Sequence, residues 1–299
     1  MPRLELPLDG PFDLVSTLAP LVRGQGDRTI RLASDRAWLT TRTAAGPATI
    51  GFEPAGGRLA VETWGPGADQ VIGRLPRLLG PGPWSLVDAP DIAVARLARR
   101  HRGVRILRTE SILDTLIAAI VEQKVTGTEA HRVWHGLVRL HGEPAPGPPE
   151  LGLRVFPAPA TLARLPYWAY HELGLERRRA ELIRAIAARP ATFEGIVDLS
   201  LAAAQARLLA VPGIGPWTVA EVAVRALGDV DAVSVGDFHL PHLVTWALAG
   251  EPRGDDARML ALLEPYRGRR ALVVRLLELS GLRAPRYGAR LAPRRIEQI

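Results

Sequence analysis

The sequence predicts a mainly α-helical protein with an α+β domain at its N-terminus. Two observations carry this prediction. Alternating or β-branched segments, separated by Asp, Gly and Pro, occupy part of the first hundred residues, and apolar residues at helical spacing dominate from about Ile106 onward. The 299 residues, 47% of them hydrophobic, are enough to bury two or three cores without metal or disulfide support.

The N-terminal α+β domain is predicted to span residues 1–98. Its antiparallel sheet is predicted from four segments, 29–33, 37–43, 47–54 and 58–65. Helical patterns at 11–22 and 68–80 flank these strands, and a Gly-Pro break at 80–84 follows the second helix.

The rest of the chain is predicted to be helical, with a helical domain over 99–230 and a C-terminal helical subdomain over 231–285. Ser111 and Asp114 stand in capping positions of the first long helix. A stiff Pro-rich connector is expected over 143–160, and residues 286–299 lack apolar periodicity and are expected to form a basic tail.

Charge and composition narrow the function classes. The net charge of +7 suits a polyanionic partner, although an arginine-rich composition also arises from a GC-rich genome. The absence of cysteine excludes disulfides, zinc–thiolate sites and iron–sulfur clusters. No run of 18 apolar residues and no apolar signal core occur, so we expect a cytoplasmic protein that is not inserted in a membrane.

The most informative segment is LAVPGIGPWTVAE, residues 209–221, which is followed by Asp237 22 positions after Gly215. A Gly-x-Gly turn that opens a helix leaves backbone N–H groups unpaired at the positive end of the helix dipole, where a phosphate fits. Taken alone, this pattern is more typical of a helical corner without a ligand, because glycine turns are common.

Further segments, in order along the chain, strengthen the functional interpretation. ILDTLIAAIVEQKVT, LGLERRRAELI and the hairpin with its aspartate together resemble the AlkA-type 3-methyladenine DNA glycosylases of the helix-hairpin-helix DNA glycosylase superfamily. The resemblance covers most of the chain and implies the helix-hairpin-helix DNA glycosylase fold, with an active cleft between two helical subdomains.

The resemblance assigns roles around the reacting sugar. Asp237 stabilises the oxocarbenium-like sugar or orients water against it, although its position also suits a helix N-cap. Trp217 stands where glycosylases that cleave the backbone keep a lysine, which argues against a lyase step. Trp217 is expected to stack on the base, or alternatively to pack behind the hairpin. Gln123 and Phe238 are the other expected pocket residues.

The resemblance also predicts the DNA contacts. Phosphate is expected at the amides of Gly213, Ile214 and Gly215, with Thr218 beside them. A monovalent cation is expected at the carbonyls of Leu209, Val211 and Ile214. Lys124, the single lysine, is expected with Gln123 in the gap left by the flipped base, or else as a solvated charge. Arg177, Arg178 and Arg179 are candidates for the DNA face, and Arg275 or Leu276 takes the place of a pocket tryptophan.

These residues predict a monofunctional glycosylase that excises alkylated purines from duplex DNA in base excision repair. It is expected to act as a monomer at the nucleoid, without a required cofactor. Two alternatives stay open: a noncatalytic DNA-binding protein that keeps only the hairpin, and a glycosylase for bulky adducts or crosslinks with a more open pocket. A histidine metal site at His131 and His135 lacks an accompanying acidic motif.

Overall fold

The computed structural model describes residues 3–80, 86, 88–285 and 292–298. Its N-terminal part is built on a five-stranded antiparallel sheet of order β1-β5-β4-β3-β2. The strands are β1 (Arg3–Pro7), β2 (Ile30–Leu32), β3 (Ala37–Thr43), β4 (Gly46–Ala55) and β5 (Arg58–Trp64). The four predicted strands are confirmed. Strand β1 was not predicted, because its five residues contain only two apolar side chains in alternation.

Two helices complete the N-terminal core. Helix α1 (Leu14–Leu18) continues into a short 3-10 turn at Ala19–Leu21, since Pro20 cannot donate to a longer helix, and α2 (Ala68–Leu78) packs beside the sheet. Leu18, Leu59 and Leu75 are almost fully buried at this junction. Residues 81–85, which include most of the predicted Gly-Pro break, lie outside the described residues.

The central core surrounds helix α4 (Ile112–Glu122), whose residues from Ile112 to Val121 are all buried except Asp114. The other helices of this part lie before and after the Pro-rich segment. They are α5 (Gly127–His141), α6 (Pro159–Arg164), α7 (Tyr167–His171), α8 (Arg177–Ala187), α9 (Pro190–Glu194), α10 (Leu201–Leu209) and α11 (Pro216–Ala226).

A third core joins two separate parts of the chain. Helices α12 (Leu240–Ala249), α13 (Asp256–Leu263) and α14 (Arg270–Leu279) share it with α3 (Ile92–Arg100). Val94 and Ala98 of α3 are buried against these C-terminal helices. The sequence assigned residues up to 98 to the N-terminal domain, whereas the packing of α3 associates it with the C-terminal subdomain.

The Pro-rich segment is ordered by the sheet. Its strands β6 (Glu143–Pro144) and β7 (Arg154–Val155) pair with each other. The Arg154 amide donates to the Arg28 carbonyl at 2.7 Å, and Thr40 Oγ1 donates to the Arg154 carbonyl at 2.9 Å. The connector therefore fastens the helical part to the sheet.

The described part of the predicted basic tail lies on α5. Arg294 pairs with Glu129 at 3.2 Å, and Glu297 pairs with Arg132 at 3.4 Å. Residues 286–291 and 299 of the tail lie outside the described residues. Within the described ranges, no helix combines the length and apolarity that a membrane crossing requires.

The start of α4 differs from the sequence prediction. Ser111 occupies the N-cap position, but its hydroxyl pairs with Thr41 Oγ1 of the sheet at 3.0 Å and makes no cap hydrogen bond. The Glu194 carboxylate, from α9, accepts from the Leu113 amide at 3.2 Å instead. A residue 81 positions away thus caps the helix, which no local pattern could indicate.

Asp114, at this junction, makes the free energy of unfolding depend on pH. Burial, together with the Glu194 carboxylate and against the opposing effect of Arg42, raises the pKa of Asp114 to about 7. In the unfolded chain an aspartate titrates near pH 3.9, so the native state holds a proton that the unfolded state releases between roughly pH 4 and 7. The free energy of unfolding therefore decreases as pH rises through this range.

Asp114→Asn is expected to remove this loss of stability. The variant should exceed the wild type in free energy of unfolding by about 4 kcal/mol above pH 7, and the difference should vanish near pH 4. Urea unfolding between pH 4 and 8 measures it, with the exposed Asp35→Asn as the control. A difference that does not change with pH would contradict the shifted pKa.

Candidate active site

The turn between α10 and α11 depends on one glycine conformation. Gly213 has φ +94°, in the region that favours glycine, and an added Cβ would lie 3.0 Å from Leu182 Cδ2. Gly215 has φ −105° and ψ 177°, and a Cβ there would meet nothing within 4 Å. Only the first glycine of the pair is therefore required by the backbone.

The free amides of this turn differ from the three expected. The Ile214 amide donates to the Val211 carbonyl at 3.0 Å, and its side chain is buried. No acceptor among the described residues takes a hydrogen bond from the Gly213 or Gly215 amide. Pro216 has no N–H, while the amides of Trp217 and Thr218 belong to the first helical turn and lack intrahelical acceptors. The anion-binding groups are thus the two glycines and the first turn of α11.

Gln123 fixes the turn to the end of α4. Its Nε2 donates to the Gly213 carbonyl at 3.1 Å and to Thr218 Oγ1 at 2.9 Å. Thr218 is 2% exposed, so its side chain supports the turn from within. Gln123 was expected in the substrate pocket, but its amide is used here and it does not line the cleft described below.

Asp237 is held by three N–H groups. Its Oδ1 accepts from the amides of His239 at 2.7 Å and Leu240 at 2.8 Å, which caps the start of α12. Its Oδ2 accepts from Trp217 Nε1 at 3.0 Å. The preceding Gly236, at φ +91°, donates its amide to the Asp256 carboxylate and turns the chain toward Trp217. The capping and site interpretations of Asp237 are therefore compatible, since each uses a different oxygen.

Asp237 and Trp217 line a cleft of about 500 Å³. Segments from all three cores contribute to its walls, from α1 and its 3-10 turn, the end of α4, α11, α12 and α14. Several charged lining residues were not predicted as site residues, and these are Arg105, Glu122, Glu221, Arg225 and Glu278. Glu221 and Arg225 follow Trp217 at intervals of four, which places all three on one helix face. That spacing could have identified them.

Most of these charges are paired within the cleft wall. Glu221 accepts from Ser234 Oγ at 2.6 Å and forms an ion pair with Arg225. Arg225 also donates to the Pro20 carbonyl at 3.2 Å. Burial lowers the pKa of Arg225, but Glu221 and Glu122 outweigh that effect and raise it. The guanidinium therefore remains charged.

The C-terminal helix supplies Arg275 to the cleft. Its guanidinium donates to the Ser16 carbonyl at 2.8 Å and pairs with Glu278 at 3.0 Å. Leu276, the other candidate for this position, is buried in the third core. A charged side chain thus occupies the wall where the resemblance expects a tryptophan.

Two predicted site residues lie at the surface beside the cleft. Phe238 is 71% exposed and contacts the edge of the His239 ring. Lys124 is exposed and has φ +53°, a conformation that a residue with a Cβ seldom adopts. Neither residue lines the cleft. Three further aromatic residues of the helical part, Tyr167, Trp168 and Trp246, do not line it either.

The three consecutive arginines have different environments. Arg177 stacks on Tyr167 at 4.3 Å, and Arg178 is exposed. Arg179 is 3% exposed and donates to the Val121 carbonyl at 2.7 Å. It therefore fixes the end of α4 and does not lie on the surface, where the predicted DNA face would be.

The expected cation ligands lie around the turn. The Val211 carbonyl accepts from the Ile214 amide and retains a second lone pair, while the Leu209 carbonyl is in the last turn of α10.

Among the described residues, no group of three His, Asp or Glu side chains could hold a metal ion. His131 and His135 stack at 6.2 Å, and His135 Nε2 is already hydrogen-bonded to the Arg23 carbonyl.

Comparisons with known proteins identify related sequences. No family model matches the chain. It is 30% identical over 164 residues to the probable bifunctional transcriptional activator/DNA repair enzyme AlkA of Mycobacterium tuberculosis, covering 53% of this chain and 32% of that protein. It is 25% identical over 183 residues to the putative DNA-3-methyladenine glycosylase YfjP of Bacillus subtilis, covering 58% of this chain and 61% of that protein. The chain spans less than two thirds of both curated relatives.

A solved structure extends the likeness to the fold. The 3-methyladenine DNA glycosylase of Archaeoglobus fulgidus superposes with a TM-score of 0.77 at 21% identity, over 93% of this chain and 98% of that one. The predicted helix-hairpin-helix DNA glycosylase fold is confirmed. The resemblance to AlkA-type proteins is confirmed by the curated relatives as well.

The two glycines of the turn provide a matched test of its geometry. Gly213→Ala is expected to lower the free energy of unfolding by about 1–2 kcal/mol, because alanine is strained at φ +94°. Gly215→Ala is expected to be neutral or to stabilise by up to about 1 kcal/mol, since its backbone already suits alanine. Urea unfolding of both variants measures the difference, and equal losses would contradict the assigned backbone conformations.

Proposed function

We propose that this protein is a monofunctional DNA glycosylase of the 3-methyladenine type, which hydrolyses the N-glycosidic bond of alkylated purines in duplex DNA. The observation that carries this proposal is the Trp217–Asp237 pair, which lies in a cleft beside a turn with free backbone amides. The names of the curated relatives point to the same reaction class. The biological role that follows is base excision repair by a monomer acting on chromosomal DNA.

DNA binding is assigned to the turn. The amides of Gly213 and Gly215, with those of the first turn of α11, have no acceptor among the described residues, so a phosphate oxygen can accept from them. The Ile214 amide is engaged within the turn, so Ile214 contributes by burying its side chain and holding the turn in place. Thr218 contributes its amide, and its hydroxyl holds Gln123.

Flipping a base out of the duplex costs a few kcal/mol and leaves a gap in the stack. Lys124 projects at the surface from a left-handed backbone position directly after Gln123, at the corner between α4 and α5. Its methylene stem fills the gap while the ammonium reaches a phosphate or the orphaned base. Phe238, exposed next to Asp237, contacts the DNA near the flipped nucleotide.

Asp237 performs the chemical step. As the glycosidic bond breaks, positive charge develops on the sugar, and a carboxylate fixed beside it stabilises that charge or orients the attacking water. Two backbone amides and the Trp217 indole hold both carboxylate oxygens in place. An alkylated purine that carries positive charge leaves as a neutral base, so no proton donor is needed for its departure.

The reaction ends at the abasic site. A lyase step requires an amine nucleophile, and Lys124, the single lysine, is exposed and does not line the cleft. Trp217 occupies the helix position that faces Asp237.

A monovalent cation at the turn would assist phosphate binding. The carbonyl oxygens of Leu209, Val211 and Ile214 would hold it, and hard oxygen donors of this kind suit such an ion. When bound, the cation supplies positive charge that partly neutralises the phosphate.

The cleft volume favours a second candidate substrate class. A cleft of about 500 Å³ lies in the range that accepts drug-sized ligands, so its volume also accommodates a purine with a bulky adduct. A base-release screen should therefore include large alkyl adducts and crosslinks.

Asp237→Asn is expected to reduce the release of free base from methylated duplex DNA by at least about 100-fold, because the neutral amide cannot balance charge on the sugar. Single-turnover base release by chromatography measures the rate. DNA binding by the variant should stay within about twofold of the wild type. Unchanged release by a folded variant would refute the catalytic assignment, and release by neither protein across the screen would favour a noncatalytic DNA-binding protein.

Gly215→Asp is expected to weaken DNA binding by at least about tenfold for any lesion, because it adds negative charge at the phosphate site. The neighbourhood of Gly215 is open, so the side chain fits without a clash. Gly215→Asn is the matched control, with nearly the same shape and no charge. Fluorescence anisotropy at low salt measures both dissociation constants, and equal values would remove the turn from the DNA-contact surface.

A further inference from the structure

The acidic groups in the cleft differ in how fully their hydrogen-bonding capacity is used. Glu221 accepts a hydrogen bond from Ser234 on one oxygen and from Arg225 on the other, and Glu278 accepts one from Arg275. Asp237 is held on both oxygens. Glu122 is the exception among the described carboxylates of this cleft, since no N–H or O–H group donates a hydrogen bond to it.

The carboxylate of Glu122 is partly buried, so its unused hydrogen-bond acceptors cost free energy. It is the last residue of α4, its side chain is only 22% exposed, and it lines the same cleft as Asp237 and Trp217. Among the described residues, Glu122 forms an ion pair with Arg23, at 3.3 Å between Oε1 and Nε, and that nitrogen is itself without a hydrogen-bond partner. A partly buried carboxylate without donors loses hydration that nothing in the protein replaces.

Resting on the proposed function, we propose that Glu122 accepts hydrogen bonds from N–H groups of the flipped base and gives the cleft its preference for cationic alkylpurines over neutral damaged bases. The amino edge of a purine presents such donors. A carboxylate that accepts from them also balances the positive charge of an N-alkylated ring, and a charge-assisted hydrogen bond of this kind is about twice as strong as a neutral one.

The charges around Glu122 are consistent with a ligand of this type. Arg23 pairs with it, and Arg225 acts on it through space from across the cleft wall while paired with Glu221. Arg23, Arg225, Glu122 and Glu221 thus interact electrostatically on this side of the cleft. Because Glu122 is the member of this set with unused lone pairs, a cationic base adds hydrogen bonds without breaking an existing pair.

Glu122 should strengthen substrate binding and should not accelerate the chemical step. As the glycosidic bond breaks, the positive charge moves from the base to the sugar and the base becomes neutral. The attraction to Glu122 is therefore weaker in the transition state than in the bound substrate. An interaction of this kind tightens binding without increasing the maximal rate. A residue that only stabilised the fold would affect both lesions equally.

The test compares Glu122→Gln with the wild type on two duplexes, one with 7-methylguanine, which is cationic, and one with neutral hypoxanthine. Single-turnover excision is measured over a range of enzyme concentrations. We expect the half-saturating concentration for 7-methylguanine to rise about tenfold, with a maximal rate equal to or higher than that of the wild type. Both parameters for hypoxanthine should stay within twofold. Glu181→Gln, which removes an arginine-paired glutamate from the exposed face of α8, is the matched control.

Equal changes for the two lesions, or no change for either, would overturn the proposal. Glu122→Asp keeps the charge and withdraws the carboxylate by one methylene, so it serves if Glu122→Gln does not fold. It should raise the half-saturating concentration for 7-methylguanine severalfold and leave hypoxanthine unchanged, and equal effects on both would again overturn the proposal.

A binding measurement separates this inference from the proposed function. Quenching of tryptophan fluorescence by 7-methylguanosine and by guanosine requires no catalysis. The wild type should bind the cationic nucleoside more tightly, and Glu122→Gln should lose that preference. If the wild type excises no base but shows this pattern, the proposed function fails and the Glu122 assignment stands. If the wild type excises both bases and the variant keeps the same preference, only the Glu122 assignment fails.

Discussion

The burial of helix α4 is the constraint on which the rest of the structure depends. Nearly all of its residues are inside the central core, so the position of its last turn is fixed by packing on every side. Arg179 satisfies the Val121 carbonyl at that end, and Gln123 extends from it to the Gly213 carbonyl and Thr218. The turn that offers free amides is therefore held at a set distance from this buried helix.

A second connection places the carboxylate relative to the turn. Trp217 belongs to the helix that the turn begins, and its indole N–H reaches Asp237 at the start of another helix. The two helices belong to different cores, so this hydrogen bond joins the two cores at the wall of the cleft. Under the proposed function, the turn that contacts the DNA backbone and the carboxylate near the sugar are therefore held together by this hydrogen bond. Preorganisation of this kind lets a charge act without reorganising at the moment of reaction.

Local patterns predicted much of this fold. Alternation identified four strands, and the Gly-x-Gly turn with its downstream aspartate indicated the site, because these features depend on neighbouring residues. Long-range contacts explain the differences. Glu194 replaces Ser111 as the cap of α4, and α3 joins a core formed mainly by residues more than 140 positions later. The Ile214 amide, expected to be free, closes the turn instead. No sequence pattern shows that Glu122 lacks hydrogen-bond donors, because this property depends on how the carboxylates of the cleft are paired in three dimensions.

The backbone conformation of Lys124 has a consequence for how a repair protein searches a genome. A left-handed residue with a Cβ stores strain of roughly 1–3 kcal/mol, and here the Arg294 side chain steadies it by donating to its carbonyl at 3.3 Å. Under the proposed function, this corner is already shaped before DNA arrives. A protein that interrogates very many intact base pairs for each damaged one gains from a preformed probe, because no ordering cost recurs at each step along the duplex.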